Sequence, residues 1–444
     1  MSEAFSLLMF PAIIGILFLG FPIAFSLMGV ALVFGLITFG PVVIFQFIEK
    51  VDEIASNYIL AAVPLFVFMG TLLEQSGIAN RLFDAIHIWT KKLPGGLAIG
   101  TIIMCIIFAA SSGIIGATET VVGLLALPIM MKHAYNKGLI SGTICAGGSL
   151  GTIIPPSIVV VILGPVADVS VGDLFMGMLI PGLLMATSYI TYILIRCSLR
   201  PEDGSSLNDD TTDIAFNTKI KITIKALLPP LFLIFAVLGS IMAGIAAPTE
   251  AAGMGAMGAI VLSILYKKFN YALLKDSLLK TLRITCMILL ILLGGMMFSG
   301  VFIGAGGVEL TSNLIENANL SAWTTLFIFL LISFIAGFVL EWISVLLIFI
   351  PVFIPIIKSL GFDPVWFCIL FLIVIQTSYL TPPMAPAIFY LRGISREIAP
   401  SITIKDMFRG VVPFIILQLL TLALVIIFPE IALWLPKILL SNNF

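Results

Sequence analysis

Long apolar segments separated by short polar loops make up most of the chain. A membrane-spanning helix needs about 20 mostly apolar residues. Segments that reach or approach this length lie at 6–20, 22–46, 58–76, 138–163, 171–196, 225–245, 249–266, 283–304, 366–391 and 410–435. The pattern predicts an all-α polytopic membrane protein with about ten transmembrane helices in a lipid bilayer.

Two further apolar stretches, 97–131 and 323–357, are too long for one span and too short for two. Polar residues interrupt each stretch near its middle, at Ala110-Ser111-Ser112-Gly113 and at Glu341-Trp342-Ile343-Ser344. A polar tip at mid-depth is tolerated where protein or a cavity surrounds it. We therefore predict two re-entrant helical hairpins. The alternative is one long, tilted and kinked span in each stretch.

The basic residues separate to one side of this arrangement. With both hairpins re-entrant and the N-terminus outside, 19 Lys and Arg residues lie in cytoplasmic loops, and only Lys50, Lys358 and Lys437 lie outside. This positive-inside bias predicts that both termini are periplasmic. The composition is 60% hydrophobic and 10% charged, with a net charge of −1. It excludes a water-soluble enzyme and leaves no basic patch for nucleic acid.

The two halves of the chain are related by an internal repeat. The spacing from Pro128 to Pro155-Pro156 recurs, 227 positions later, from Pro355 to Pro382-Pro383. Both halves also share the order span, hairpin, broken span, span, and the topology gives the two copies opposite orientations. Inverted repeats of this kind are typical of secondary transporters. No GxxxxGK[ST] motif occurs, so ATP is not expected to drive transport directly.

The repeat predicts five regions in the chain. They are scaffold helices in 1–96, a transport-domain half with a cytoplasm-opening hairpin in 97–196, a cytoplasmic linker in 197–222, scaffold helices in 223–322, and a transport-domain half with an outward-opening hairpin in 323–444.

Both broken spans carry the residues that could bind a cation and a substrate. Gly147–Ser157 and Gln376–Pro383 combine helix-breaking Gly or Pro with hydroxyl side chains. Unwound carbonyls and hydroxyls can coordinate Na⁺, and half-helix N-termini attract an anion. No Lys or Arg lies near the centre of a predicted span, which makes coupling to a cation attractive for an anionic substrate. The alternative is that each Pro-Pro pair is only a kink.

The predicted site residues divide into three groups according to this logic. The first Na⁺ site takes Ser111, Ser112, Gly113, Gly148, Gly151 and Thr152. The second Na⁺ site takes Glu341, Ile343, Ser344, Thr377, Ser378 and Thr381. The substrate site between them takes Ser149, Pro155, Pro156, Ser157, Pro382 and Pro383.

Two acidic residues, Glu119 and Glu341, are predicted to lie inside the membrane. An intramembrane acid is a functional candidate by default. The alternative for each is a carboxylate that caps nearby backbone N–H groups. The five cysteines form no CxxC pair, so they are interpreted as small apolar residues rather than as disulfides or metal ligands. No metal other than Na⁺ and no organic cofactor are expected.

Several segments together resemble the large membrane (M, DctM-type) subunit of tripartite ATP-independent periplasmic (TRAP) transporters. They are Gly20–Phe25, Val63–Gly70, Gly148–Ser157, Ala247–Ala252 and Leu380–Pro383. The resemblance covers nearly the whole chain. At the second tip, however, Glu341-Trp342-Ile343 stands where the family usually has an acid followed by Pro-Thr or a similar pair.

The resemblance implies an elevator-type transporter in the bacterial inner membrane. It also implies Na⁺-driven uptake of an organic acid such as a sialic acid or a C4-dicarboxylate. Two partners are implied: a small four-helix membrane (Q) subunit and a soluble periplasmic substrate-binding (P) protein. The alternative is a stand-alone anion/cation symporter or antiporter. An intramembrane enzyme is not expected, because HExxH, DDxxD and an intramembrane His are all absent.

Overall fold

The computed structural model describes residues 4–112, 116–204 and 215–441, and no strand occurs among them. The helices of the first half are α1 Ala4–Leu7, α2 Met9–Phe18, α3 Ile23–Phe39, α4 Val43–Ser56, α5 Ala62–Gln75, α6 Ile78–Thr90, α7 Gly96–Ser112, α8 Ala117–Lys132, α9 Lys137–Ser149, α10 Ile158–Ala167 and α11 Val171–Leu199. Those of the second half are α12 Phe216–Met242, α13 Pro248–Leu265, α14 Tyr271–Gly304, α15 Gly307–Asn317, α16 Ala322–Ala336, α17 Trp342–Ser359, α18 Pro364–Leu380, α19 Pro386–Ile398, α20 Ile404–Ile427 and α21 Glu430–Ser441.

Eight helical segments of the described chain are long and apolar enough to cross a membrane. Seven of them coincide with predicted spans, and the eighth, α17, is an arm of the second predicted hairpin. The predicted span 410–435 is too long at its C-terminal end: α20 ends at Ile427, before Pro429, and α21 is a separate helix. The reason is steric, because a proline disfavours helical geometry in the residue before it.

Both interrupted apolar stretches form hairpins, as predicted. Thr101 near the start of α7 lies against Met130 near the end of α8, with Oγ1 and Sδ 4.0 Å apart. In the second hairpin, the rings of Phe329 and Phe353 stack with their centroids 3.9 Å apart. In each pair the two residues flank the tip at similar distances along the chain, so the chain reverses there. A single kinked span is therefore excluded.

The internal repeat is present at the level of helices. Each half contains two helices, a hairpin, a broken helix and a final helix, in that order. In the first half these are α5, α6, α7–α8, α9–α10 and α11, and in the second half they are α14, α15, α16–α17, α18–α19 and α20. Gly77 and Gly306, 229 positions apart, precede α6 and α15 with left-handed backbone angles (φ 72° and 80°). Such a turn favours glycine, which has no Cβ to oppose it.

Polar pairs join α5 to α14, one helix from each half. Lys280 Nζ donates to Glu74 Oε1 and Oε2 at 2.8 Å. One turn away, Ser277 Oγ donates to Gln75 Oε1 at 3.3 Å. Interhelical polar pairs of this kind help to hold two helices together. They join α5 and α14 into one packed pair.

The start of the predicted linker packs against the base of the first hairpin. Gly95 N donates to Gly204 O, and Asn136 N donates to Asp203 O, both at 3.0 Å. Arg196 Nε is 2.9 Å from Asp203 Oδ2. The segment between the two long helices is shorter than the predicted linker 197–222, because α11 continues to Leu199 and α12 begins at Phe216. Residues 205–214 lie outside the described part.

Candidate functional site

The second hairpin tip lies directly on the second helix break. A Cβ built at Gly337 would overlap Ser378 Oγ and lie 2.8 Å from Ser378 Cβ, so only a glycine allows this approach. Ile343 and Ser344 are fully buried at the start of α17, and Thr377 is fully buried at the end of α18. The structure therefore brings together the two segments assigned to the second Na⁺ site.

The first hairpin packs on the first break in a related way. A Cβ at Gly148 would overlap the Glu119 carboxyl group, and a Cβ at Gly151 would lie 3.8 Å from Ala109 Cβ. Ser111 and Ser112 belong to α7, but their side chains lie outside the described part, as does all of Gly113. The segments of the first Na⁺ site are thus adjacent, while the tip residues themselves are not described.

Most hydroxyls at the breaks donate to a carbonyl of their own helix. Thr377 Oγ1 donates to Ile373 O at 2.7 Å, and Ser378 Oγ donates to Ile375 O at 2.8 Å. Thr381 Oγ1 and Thr152 Oγ1 do the same toward Thr377 O and Ser149 O. A donating hydroxyl keeps its lone pairs, so each oxygen can still serve as a ligand. By contrast, Ser344 Oγ is buried with no partner in the described part of the chain.

A cavity of about 520 Å³ lies beside the second tip and break. The tip contributes Glu341 and Trp342, the break contributes Tyr379, and α19 contributes Pro386 and Tyr390. On the opposite wall, α14 contributes Ile284, Met287 and Ile288. The cavity therefore lies between α14, the tip of the second hairpin and the second broken helix.

The start of a helix lies at three places on the cavity wall. Ile158 is the first residue of α10, Trp342 the first of α17 and Pro386 the first of α19, and all three line the cavity. Helix N-termini carry unpaired N–H groups and a partial positive charge. No Lys or Arg is among the lining residues. The cavity wall thus contains three helix starts and no basic side chain, with the Glu341 carboxylate at the start of α17.

The predicted substrate residues fall into two groups, one buried away from the cavity and one at least partly exposed beside it. Ser149, Pro155, Pro156 and Ser157 are buried and do not line the cavity. Pro383 is exposed and Pro382 is partly exposed, immediately before the lining residue Met384. Both Pro-Pro bonds are cis. The first break is enclosed in protein, whereas the second opens beside the cavity.

Ser149 belongs to a buried polar cluster between the two halves. Its Oγ accepts from Gln376 Nε2 at 3.2 Å and from Gln418 Nε2 at 3.5 Å. Ser149 and Gln376 are 227 positions apart, which is the repeat offset. Residues related by the repeat touch each other only near its pseudo-two-fold axis. The two breaks therefore meet at that axis.

The two embedded acids differ in their surroundings. Glu119 is fully buried, and its Oε2 accepts from Gly116 N at 2.7 Å, as the capping alternative requires. Glu341 precedes α17, makes no capping hydrogen bond with its side chain and lines the cavity. Glu119 caps α8 of the first hairpin, and Glu341 faces the cavity.

Sequence reasoning did not assign Tyr379, Tyr390 or the α14 residues to the site. Tyr379 lies inside the polar break, so the argument that assigned its neighbours Ser378 and Thr381 could have assigned it as well. The α14 residues Ile284, Met287 and Ile288 carry no such signal, because they are ordinary apolar residues of a long membrane helix.

The family described as "Tripartite ATP-independent periplasmic transporter, DctM component" matches residues 10–431 of the chain. The chain belongs to the DctM family. Its membership confirms the resemblance drawn from the break motifs, and it makes the protein a TRAP-type large permease, a multi-pass protein of the inner membrane.

Relatives in the DctM family extend over nearly the full chain. The C4-dicarboxylate TRAP transporter large permease protein DctM of Rhodobacter capsulatus is 30% identical over 98% of this chain and 99% of its own length. The sialic acid TRAP transporter large permease protein SiaM of Vibrio cholerae serotype O1 is 28% identical over 96% of this chain and 97% of its own. The substrates named for these two permeases differ.

A solved structure shares the fold of this DctM-family chain. The YdaH transporter of Alcanivorax borkumensis superposes with a TM-score of 0.67, over 93% of this chain and 97% of that one, at 13% sequence identity. At this identity the likeness concerns the fold alone. It agrees with an all-α, polytopic transporter fold.

Proposed function

We propose that this chain is the permease subunit of a TRAP transporter that takes up an organic acid, of the sialic acid or C4-dicarboxylate class, driven by Na⁺. The observation that carries the anionic substrate is the convergence of three helix N-termini on one cavity without Lys or Arg. Helix N-termini bind carboxylates well. The cavity of about 520 Å³ lies within the size range of small-molecule sites.

Coupling to Na⁺ is supported by the oxygen atoms at the tips and breaks. Buried Ser344 Oγ has no partner in the described part of the chain, and neither has Glu119 Oε1. Buried polar atoms normally have partners, so an atom without one points to a missing ligand. Ser344, Thr377, Ser378 and Thr381 would hold one Na⁺ at the second tip. Its positive charge would offset Glu341 and attract an organic anion into the cavity.

An elevator-type movement is supported by the position of two cavities along α14. The larger cavity uses Ile284–Ile288, and a second one, of about 210 Å³, uses Leu292–Ile303 together with α10 and Lys50. Both cavities separate scaffold helices from hairpins or broken helices. We propose that the transport half slides along α14, and that with both termini periplasmic this structure is open toward the cytoplasm.

The orientation is testable by labelling single cysteines in intact cells, in a background without the five native cysteines. We expect an impermeant maleimide to reach a cysteine at Asp168 or Asn313, but not one at Asn217, because the topology places only the first two outside. All three positions are exposed. Permeabilised cells serve as the control, in which all three should react. Labelling at position 217 in intact cells contradicts the topology.

The proposed function is testable by uptake in proteoliposomes. With the Q subunit and the cognate binding protein, an inward Na⁺ gradient should drive accumulation of radiolabelled sialic acid or succinate. Replacing Na⁺ by choline should abolish it, because the cation compensates the substrate's charge. Without the Q subunit, uptake should be lost even when the binding protein is present. Full uptake by this chain alone would favour the stand-alone symporter.

A further inference from the structure

Glu119 is a fully buried carboxylate whose capping role uses only one of its two oxygens. Oε2 accepts from Gly116 N at 2.7 Å. Oε1 is buried and has no hydrogen-bond partner in the described part of the chain. Capping alone therefore does not account for this side chain. A glutamate that only capped a helix would be as well placed in solvent, where Glu250 caps α13.

The free oxygen faces the first helix break. The space that a Cβ at Gly148 would need is filled by Glu119 Cγ and Cδ, with Oε1 at 2.7 Å from that position. The Tyr379 hydroxyl, from the second break, lies near enough to the same carboxyl group to interact with it, but neither this hydroxyl nor Oε1 makes a hydrogen bond of normal geometry in the described residues. A buried carboxylate oxygen from one half of the chain and a buried hydroxyl from the other thus lie together, and no other side chain in the described residues satisfies them.

Among the described residues, no positively charged side chain interacts with Glu119. The groups that interact with it are backbone N–H groups and Tyr379, and the other titratable groups nearby are Tyr390 and the thiols of Cys105 and Cys145. An ionised carboxylate buried without a counter-charge is very costly. Protonation removes that cost, and so does a bound cation, which keeps the carboxylate ionised. Because one carboxylate supplies a single charge, and divalent cations usually take several, a monovalent cation suits the site.

We propose that Glu119 is the charged ligand of the Na⁺ that binds at the first helix break, with Tyr379 Oη beside it. This inference rests on the proposed Na⁺ coupling and adds a residue to it. The first site then carries its own negative charge, unlike a site built only from carbonyls and hydroxyls. Tyr379 also lines the substrate cavity. The cation at the first break is thereby connected to the substrate cavity through a single side chain.

The test measures binding of radioactive Na⁺ and Na⁺-dependent thermal unfolding of the purified membrane complex, with choline as the reference cation. Glu119→Gln keeps the size and the capping acceptor but removes the charge. We expect it to lose one bound Na⁺ and to raise the Na⁺ midpoint for stabilisation at least tenfold. In choline it should be as stable as the wild type or more so, because it buries no unpaired charge.

Glu250→Gln is the matched control, because Glu250 Oε2 also accepts from a backbone N–H three residues earlier, at 2.9 Å, but in an exposed position. It should bind Na⁺ like the wild type. Glu119→Asp withdraws the carboxylate by one methylene and should raise the Na⁺ midpoint to an intermediate value. If Glu119→Gln does not yield a folded complex, the Na⁺ midpoint of Glu119→Asp tests the proposal instead.

The outcomes separate this inference from the proposed function. If the wild type binds Na⁺ and either Glu119 variant binds it with an unchanged midpoint, Glu119 is not a ligand, while Na⁺ coupling stands. If the wild type itself shows no response to Na⁺ relative to choline, both the coupling ion and the role of Glu119 are wrong.

Discussion

Replacing Gly337 by valine should reduce uptake at least tenfold while the protein is still expressed. The reason is the contact between the second tip and the second break, where a Cβ at Gly337 would overlap Ser378 Oγ. Overpacking a close contact costs about 1–3 kcal/mol. Here the tip would move away from Ser378 instead, and it would carry Ser344 with it. The second cation site would then lose its geometry.

The measurement for Gly337→Val is Na⁺-driven uptake, normalised to the amount of protein in the membrane. Gly393→Val is the control, because a Cβ at Gly393 on α19 has no atom within 4 Å. It should retain most of the activity. Wild-type uptake by Gly337→Val would show that the tip need not approach Ser378, and the second Na⁺ site would have to be placed elsewhere.

Replacing Gly410 by valine should prevent stable packing of α9 against α20. A Cβ at Gly410 would overlap the carbonyl of Gly138, and a Cβ at Gly142 would overlap the carbonyl of Gly410. Small residues let membrane helices approach so closely. Backbone atoms cannot change rotamer, so the two helices must separate. We expect the free energy of unfolding to fall by about 3 kcal/mol or more.

Thermal unfolding of the purified complex, followed by size-exclusion chromatography, measures this loss. Gly253→Val on α13 is the control, since a Cβ at Gly253 also has no atom within 4 Å. It should elute and unfold like the wild type. An unchanged unfolding midpoint for Gly410→Val would contradict the close crossing of α9 and α20.

The sequence by itself determined the membrane architecture of this protein. The thickness of the bilayer fixes the length of each apolar run, so spans and hairpins can be predicted without any knowledge of tertiary contacts. Gly and Pro marked both breaks, because their effect on the backbone is local. The repeat of Pro155-Pro156 as Pro382-Pro383 then related the two halves. Each of these features depends on neighbours along the chain.

Only the tertiary structure decided which polar groups face one another. Glu119 lies on Gly148, and Ser149 lies on Gln376, although 227 positions separate the latter two. Tyr379 and Ile284 line the cavity, whereas Ser149, which was predicted to bind substrate, is buried near the repeat axis. Such contacts depend on the rotation and crossing of whole helices. An apolar helix in lipid carries little local signal for either, because packing against distant helices sets both.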